Sequence, residues 1–164
     1  MLADLAVEPG PVTVRELASR LDMPLASLHR SLATLRKARV YFPERGVVAK
    51  TLAYEILTSG MKFMFPPEYL GEGVGVPTAW SARPMRDEIA GAETVYVWPH
   101  PQGDARGVLL KPIDPSVPAL AMRRPELGEL LALGDAMRIG GVRDRDVASE
   151  LIAKRLGVRP RVAA

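Results

Sequence analysis

Between Met23 and Val40 the chain reads MPLASLHRSLATLRKARV, and its side chains fall into two chemical sets. At about 100° per residue, Leu32 and Leu35 lie within about 40° of Leu28, while Ala26, Arg30, Ala33 and Lys37 lie on the opposite side. Two alanines on that side leave room for a helix to enter a groove about 12 Å wide, and a guanidinium such as that of Arg30 fits the acceptor edge of guanine with two hydrogen bonds. Lys37 and Arg36 have the charge and reach to hold phosphate. Ser27 sits in the first turn, where base edges or phosphate are usually approached. His29, about 100° from Leu28, lies on the flank and suits a neutral hydrogen bond, and Thr34 completes the candidate set. An ordinary amphipathic helix with a solvated charged face has the same outline. Its neighbours in the chain must decide between the two.

Those neighbours form an ordered series. Thr13 followed three residues later by Glu16 is a capping box, and Val14, Leu17 and Leu21 mark the buried stripe of a helix from about 14 to 21. A stub at 2–7 precedes it, ended by EPGP, since Pro9, Gly10 and Pro11 cannot continue a helix. Asp22 stands where the chain must reverse sharply, and Asp tolerates the left-handed conformation better than most residues. Pro24 opens the next helix, which the leucines carry to about Arg39. VYFPERGVVA then gives two apolar strands around a turn, with Arg45 at its tip, placed for the adjacent minor groove or the backbone.

Helix, tight turn, helix and hairpin in this order resemble a winged helix-turn-helix domain over about residues 1–50. VTVRELASRLDMPLASLHRSLATLRKARV is similar to the N-terminal reader of IclR-type and MarR-type transcriptional regulators, through Ala26, Ser27, the pair His29 and Arg30, and the following Leu32 and Leu35. The resemblance implies a DNA-binding role for the segment. Two features depart from the pattern: Asp22 replaces the usual turn glycine, and the first helix is short, as if the chain began partway through it.

Charge is distributed to match. The 164 residues carry 22 Lys and Arg against 19 Asp and Glu, and residues 1–50 hold eight of the former and five of the latter, leaving fourteen of each for the remainder. The whole surplus of three therefore lies in the N-terminal third, where a polyanion would be met. The absence of cysteine excludes disulfides, thiolate-held zinc, iron–sulfur clusters and thiol catalysis, and His29 and His100 are the only histidines. No metal site and no cofactor are expected. No apolar run nears the roughly 18 residues of a membrane span, and the start has no basic flank of a secretory signal, so a cytoplasmic protein without membrane contact is expected.

Beyond the hairpin, TLAYEILTSGMKFMF returns to helical period, weakened at Gly60. Nine of the fifteen prolines lie between Pro66 and Pro118, which marks turns, extended chain and short strands. The clearest strands are TVYVW and ARGVLLK, read as a hairpin across PHPQGD. GEGVGVP holds three glycines without the preceding strand and following helix that a phosphate loop needs, so it reads as a flexible connector. His100 and Asp104 find no third partner, and Trp80, Tyr96 and Trp98 suit core packing better than an effector pocket. Helices follow at roughly 116–122, 125–138 and 143–156. Leu127, Leu130, Leu131 and Met137 make one apolar stripe there, and Val147, Leu151 and Ile152 another.

The expected fold is α+β and mostly helical: a winged helix-turn-helix at 1–65, then a C-terminal α+β region at 66–164 for association or sensing. The expected function is sequence-specific binding of double-stranded DNA by a transcriptional regulator, a repressor, acting as a homodimer through its C-terminal helices. The alternative is an antitoxin or other interaction module that meets a partner protein through those helices. No acid, base and nucleophile converge in the sequence, so an enzyme is not expected.

Overall fold

Thr13 closes the start of its helix as the residue types require. In the computed structural model, which describes residues 1–7, 10–89 and 94–159, the Thr13 hydroxyl accepts from the Glu16 amide at 3.2 Å. The Glu16 carboxylate in turn accepts from the Thr13 amide at 2.9 Å. The helix so capped, α2 (Val14–Leu21), follows a short α1 (Leu2–Val7). Glu8 and Pro9 of the expected break lie outside the described residues. Asp22 takes the left-handed conformation, φ 52° and ψ 44°, and α3 (Leu25–Lys37) begins after Pro24. Arg39 is also left-handed, at φ 56°, and turns the chain into β1 (Tyr41–Phe42), which pairs antiparallel with β2 (Val47–Val48). Every boundary in this segment falls within about two residues of its expected place, the usual uncertainty of a helix end.

The next helical stretch runs through α4 (Lys50–Glu55), a π-helical turn at Ile56–Gly60 and α5 (Met61–Met64). The weakness expected at Gly60 is thus met by a widened turn, not a break. Tyr54, on α4, shares a 2.6 Å hydrogen bond with Ser149 in the C-terminal part of the chain.

The α+β, mostly helical class holds, but the middle region differs from expectation in detail. GEGVGVP is no flexible connector: it lies inside β3 (Tyr69–Pro77), the longest strand. β3 pairs antiparallel with both β4 (Tyr96–Pro99) and β5 (Ala105–Leu110), and the three close on one another as a small barrel. Nor do β4 and β5 form a hairpin, because they run parallel, Tyr96 opposite Val108. The glycines in these strands answer to the closeness of the backbones. A Cβ on Gly75 would sit 2.0 Å from the Trp98 carbonyl oxygen, and one on Gly107 2.2 Å from that of Val95. Glycine is thus required in these strands for the neighbouring chain to fit. Propensity reads the same residues as loop.

A short α6 (Met85–Glu88) follows β3 in the chain, and α7 (Val117–Arg123), α8 (Pro125–Ile139) and α9 (Val142–Leu156) follow β5. Of these, α8 is the axis of the molecule. Every residue from Leu130 to Arg138 is buried, because α1, α5, α7 and α9 and the barrel side all pack on it. The stripe Leu127, Leu130, Leu131 and Met137 is therefore occupied by the chain's own core. Gly128 lets α7 approach, since a Cβ there would lie 2.8 Å from that of Ala121. One hydrophobic cluster includes Leu17 and Leu28 of the N-terminal helices together with Leu130 and Ile152.

Among the described residues three charged side chains are buried in this core, Asp4, Asp135 and Arg138, and each is in an ion pair. Asp135 accepts from the Thr78 hydroxyl at 2.8 Å, the Trp98 indole at 2.6 Å and Arg138 at 2.5 Å. Burial pushes the Asp135 carboxyl up, and the Arg138 guanidinium and these hydrogen bonds pull it back. Arg138 also donates to the carbonyls of Phe65 at 2.7 Å and of Pro66 and Lys111 at 3.4 Å. This pair ties the end of α5, the barrel and α8 together. Asp4 of α1, fully buried, pairs with Arg124 at the junction of α7 and α8.

Candidate DNA-contacting surface

The reading surface begins with what α3 hides. Leu28 and Leu32 are buried against α2 and the core, with Leu35 partly so. Anchored on that side, the helix turns its other faces outward. Ala26, His29, Arg30, Ala33, Thr34, Arg36 and Lys37 are all exposed, and Ser27 is half-buried at the first turn. Eight of the nine candidate residues thus share one helix. Arg45 stands apart, exposed in the turn between β1 and β2. The positive φ of Gly46 shapes that turn, which lies close against Pro11 before α2.

Local hydrogen bonds organise the face without fixing it. Arg30 reaches back to the Ser27 hydroxyl at 3.2 Å, and the Thr34 hydroxyl donates to the Arg30 carbonyl at 3.1 Å. Neither is an ion pair, so the guanidinium keeps its charge and most of its five donors for another acceptor. Glu16 is the one acidic side chain here held by design, its carboxyl lowered first by the Thr13 hydroxyl and then by the Thr13 amide. Positive charge extends past the predicted set. Arg15 at the start of α2, Arg39 after α3 and Lys50 after β2 are exposed as well. The charge surplus of residues 1–50 was the sequence signal for them.

Other candidates separate. The Trp98 ring is in the core against Asp135, while Trp80 and Tyr96 meet edge to face nearer the surface, centroids 5.1 Å apart. The His100 ring accepts from the Gln102 amide at 3.2 Å within its own loop. Among the described residues no group of three His, Asp or Glu side chains is arranged to hold a metal ion, and no helix is long and apolar enough to cross a membrane. Sequence reasoning passed over the Asp135 and Arg138 pair, although an acid and a base three apart in LLALGDAMRIGG were its signal.

Comparison with known proteins bears on the same stretch. Residues 2–40 match the family model described as the IclR helix-turn-helix domain. No curated protein and no solved structure matches the chain. The match covers α1, α2 and α3 and stops at the entry to the wing. With α3 anchored by its leucines and its basic face outward, the N-terminal segment carries an IclR helix-turn-helix domain, and the chain is a DNA-binding transcription regulator.

Proposed function

We propose that this protein is a sequence-specific repressor that reads duplex DNA with α3. The observation that carries the reading is the partition of that helix, Leu28, Leu32 and in part Leu35 inward and Ala26, Arg30, Ala33 and Lys37 outward. Arg30 takes a base edge, with guanine the best fit. Ala26 and Ala33 allow close approach, and Ser27, His29 and Thr34 flank the groove. Lys37 and Arg36 hold phosphate, and Arg45 reaches the adjacent minor groove or backbone. Binding rather than catalysis is its chemistry, and the cytoplasm, where duplex DNA is accessible in a prokaryote, is its place.

The repressor acts as a homodimer, because one winged helix reads too few base pairs to discriminate against a genome of near matches. The C-terminal leucine stripe is taken up by the chain's own core. The apolar surface left for a second copy includes Phe63, 77% exposed, with Met64, Tyr69 and Leu70. That same exposed surface favours a second reading, an antitoxin that buries it against a partner protein.

Selection from random duplex DNA, followed by light scattering with and without the recovered duplex, tests both. Recovery of an inverted repeat with half-sites about one helical turn apart, bound by two chains, is the expected result. Failure to enrich any sequence would overturn the reading. Enrichment only in complex with the product of a neighbouring toxin-like reading frame would favour the antitoxin.

A further inference from the structure

A cavity of about 330 Å³ lies where the DNA-reading helices meet the C-terminal body. Leu21 and Met23, on either side of the Asp22 turn, and Ser31 of α3 form one wall; Val117 and Leu120 of α7 with Leu131 of α8 form the other. Phe65, whose carbonyl Arg138 holds, lies at the junction. The volume is about twice the roughly 150 Å³ of an apolar cavity that takes up benzene, and lies within the range of small-molecule sites.

The lining also defines the chemistry. Among the described residues no Lys or Arg side chain contributes to it. Asp114 accepts from the Ser116 amide at 2.9 Å and hydroxyl at 2.6 Å through one oxygen, which leaves the other as an acceptor on the rim. The hydroxyls of Ser31 and Ser116 are the remaining polar groups of the side chains. Such a site rejects anions and offers an apolar body and an acceptor for one donor.

The geometry points to an effector site in this cavity for a small neutral aromatic molecule of two fused rings bearing one hydroxyl or N–H donor. Its occupant touches the turn and the inner side of the reading helix on one wall and the central helix bundle on the other. Filling it stabilises the present arrangement, in which the reading face of α3 is outward, over any arrangement that closes the gap. Occupancy therefore tightens DNA binding, and DNA tightens binding of the effector by the same factor. The regulatory step rests on the DNA-reading function proposed above; the site itself does not.

The probe is 2-naphthol, neutral at pH 7, titrated by fluorescence into the full chain without DNA, beside 2-naphthoate as the anion of like size. Saturable binding of one 2-naphthol per chain is expected, about ten-fold or more tighter than 2-naphthoate. Ser31→Leu and Val117→Phe, which fill the cavity from opposite walls, should each weaken it by about ten-fold or more. Their circular dichroism should remain that of a folded chain, and Ser31→Leu serves if the buried change does not fold. Equal affinity for the anion, or unchanged affinity in a folded filled variant, overturns the site. In the second arm, saturating 2-naphthol should tighten binding to the selected duplex about five-fold or more. Unchanged or weakened binding overturns the coupling. A chain that binds no duplex overturns the DNA-reading function, while the first arm still decides the site.

Discussion

The helices α3 and α8 solve opposite problems with similar lengths of chain. Only Leu28 and Leu32 are buried along α3, and apart from Leu25 and the half-buried Leu35 the rest of its surface is small, polar or basic. Along α8 the burial is continuous from Leu130 to Arg138. A helix with one dry side is held by a few leucines and is free to offer its wet side to a ligand. A helix dry on all sides can carry a charge only where partners are fixed around it, as Thr78, Trp98 and Arg138 are around Asp135. Function is concentrated on the first helix and cohesion on the second. Substitutions should therefore separate into those that change binding and those that change stability.

The largest effect is expected at the second. Asp135→Ala leaves the Arg138 guanidinium buried without its counter-ion and should cost about 3–5 kcal/mol, read by urea denaturation. Asp135→Leu with Arg138→Met removes both charges and should cost less than either single change. Part of the loss should persist, because Arg138 also holds the carbonyls of Phe65, Pro66 and Lys111. A double variant no more stable than Asp135→Ala would show that those carbonyls, and not the ion pair, are what Arg138 secures.

At the reading helix the effect should appear in binding alone. Arg30→Ala should lower discrimination between the selected duplex and a scrambled one by about 1–3 kcal/mol, with unfolding midpoint unchanged. Lys37→Ala should instead weaken both duplexes alike and reduce the salt dependence by about one unit. Equal losses on both duplexes for Arg30→Ala would transfer it from base reading to phosphate holding.

What was legible in the sequence follows the same division. Leucines at helical spacing, a threonine three residues before a glutamate and a proline at a helix start act within one turn of chain, so α2, α3 and the wing are readable without tertiary contacts. The three C-terminal helices were readable too, but not the burial of α8, which depends on elements distant in the chain. The barrel was the least legible. Gly75 and Gly107 have no local reason to be in strands; their reason is a carbonyl distant in the chain, that of Trp98 in β4 and that of Val95 just before it. Of the reading surface, the helix was found from its period, whereas the exposed Arg15, Arg39 and Lys50 were visible only as excess charge.

The capping box gives a smaller effect and a pH dependence. Thr13→Ala removes the hydroxyl that accepts from the Glu16 amide and should cost about 1 kcal/mol. Hydrogen bonds from Thr13 hold the Glu16 carboxyl below its ordinary value in the folded chain. Its stabilising contribution is therefore present above the unfolded value and lost as pH falls through the folded one. Thr13→Ala should flatten this acid limb of stability against pH, followed by thermal melts across the acidic range. An acid limb of unchanged steepness would mean that other carboxylates set it.

The smallest effect is expected from Asp22→Gly, at the turn where the chain departs from the glycine its resemblance implies. At φ 52° and ψ 44° a side chain with a Cβ costs energy that glycine does not, although Asp suffers less than most. Asp22→Gly relieves that cost but adds freedom to the unfolded chain, worth about 0.5–1 kcal/mol against it. The two terms nearly cancel, and a net gain of a few tenths of a kcal/mol at most is expected. Asp22→Ala has neither the tolerance of Asp nor the freedom of Gly and should lose about 1 kcal/mol. Because Asp22 lies before α3 and outside its reading face, neither change should alter discrimination between duplexes. The test is one series of melts and one of duplex titrations on the same proteins. A loss of discrimination in Asp22→Gly at full stability would mean that the stiffness of this turn, as well as the outward face of α3, sets how the helix meets DNA.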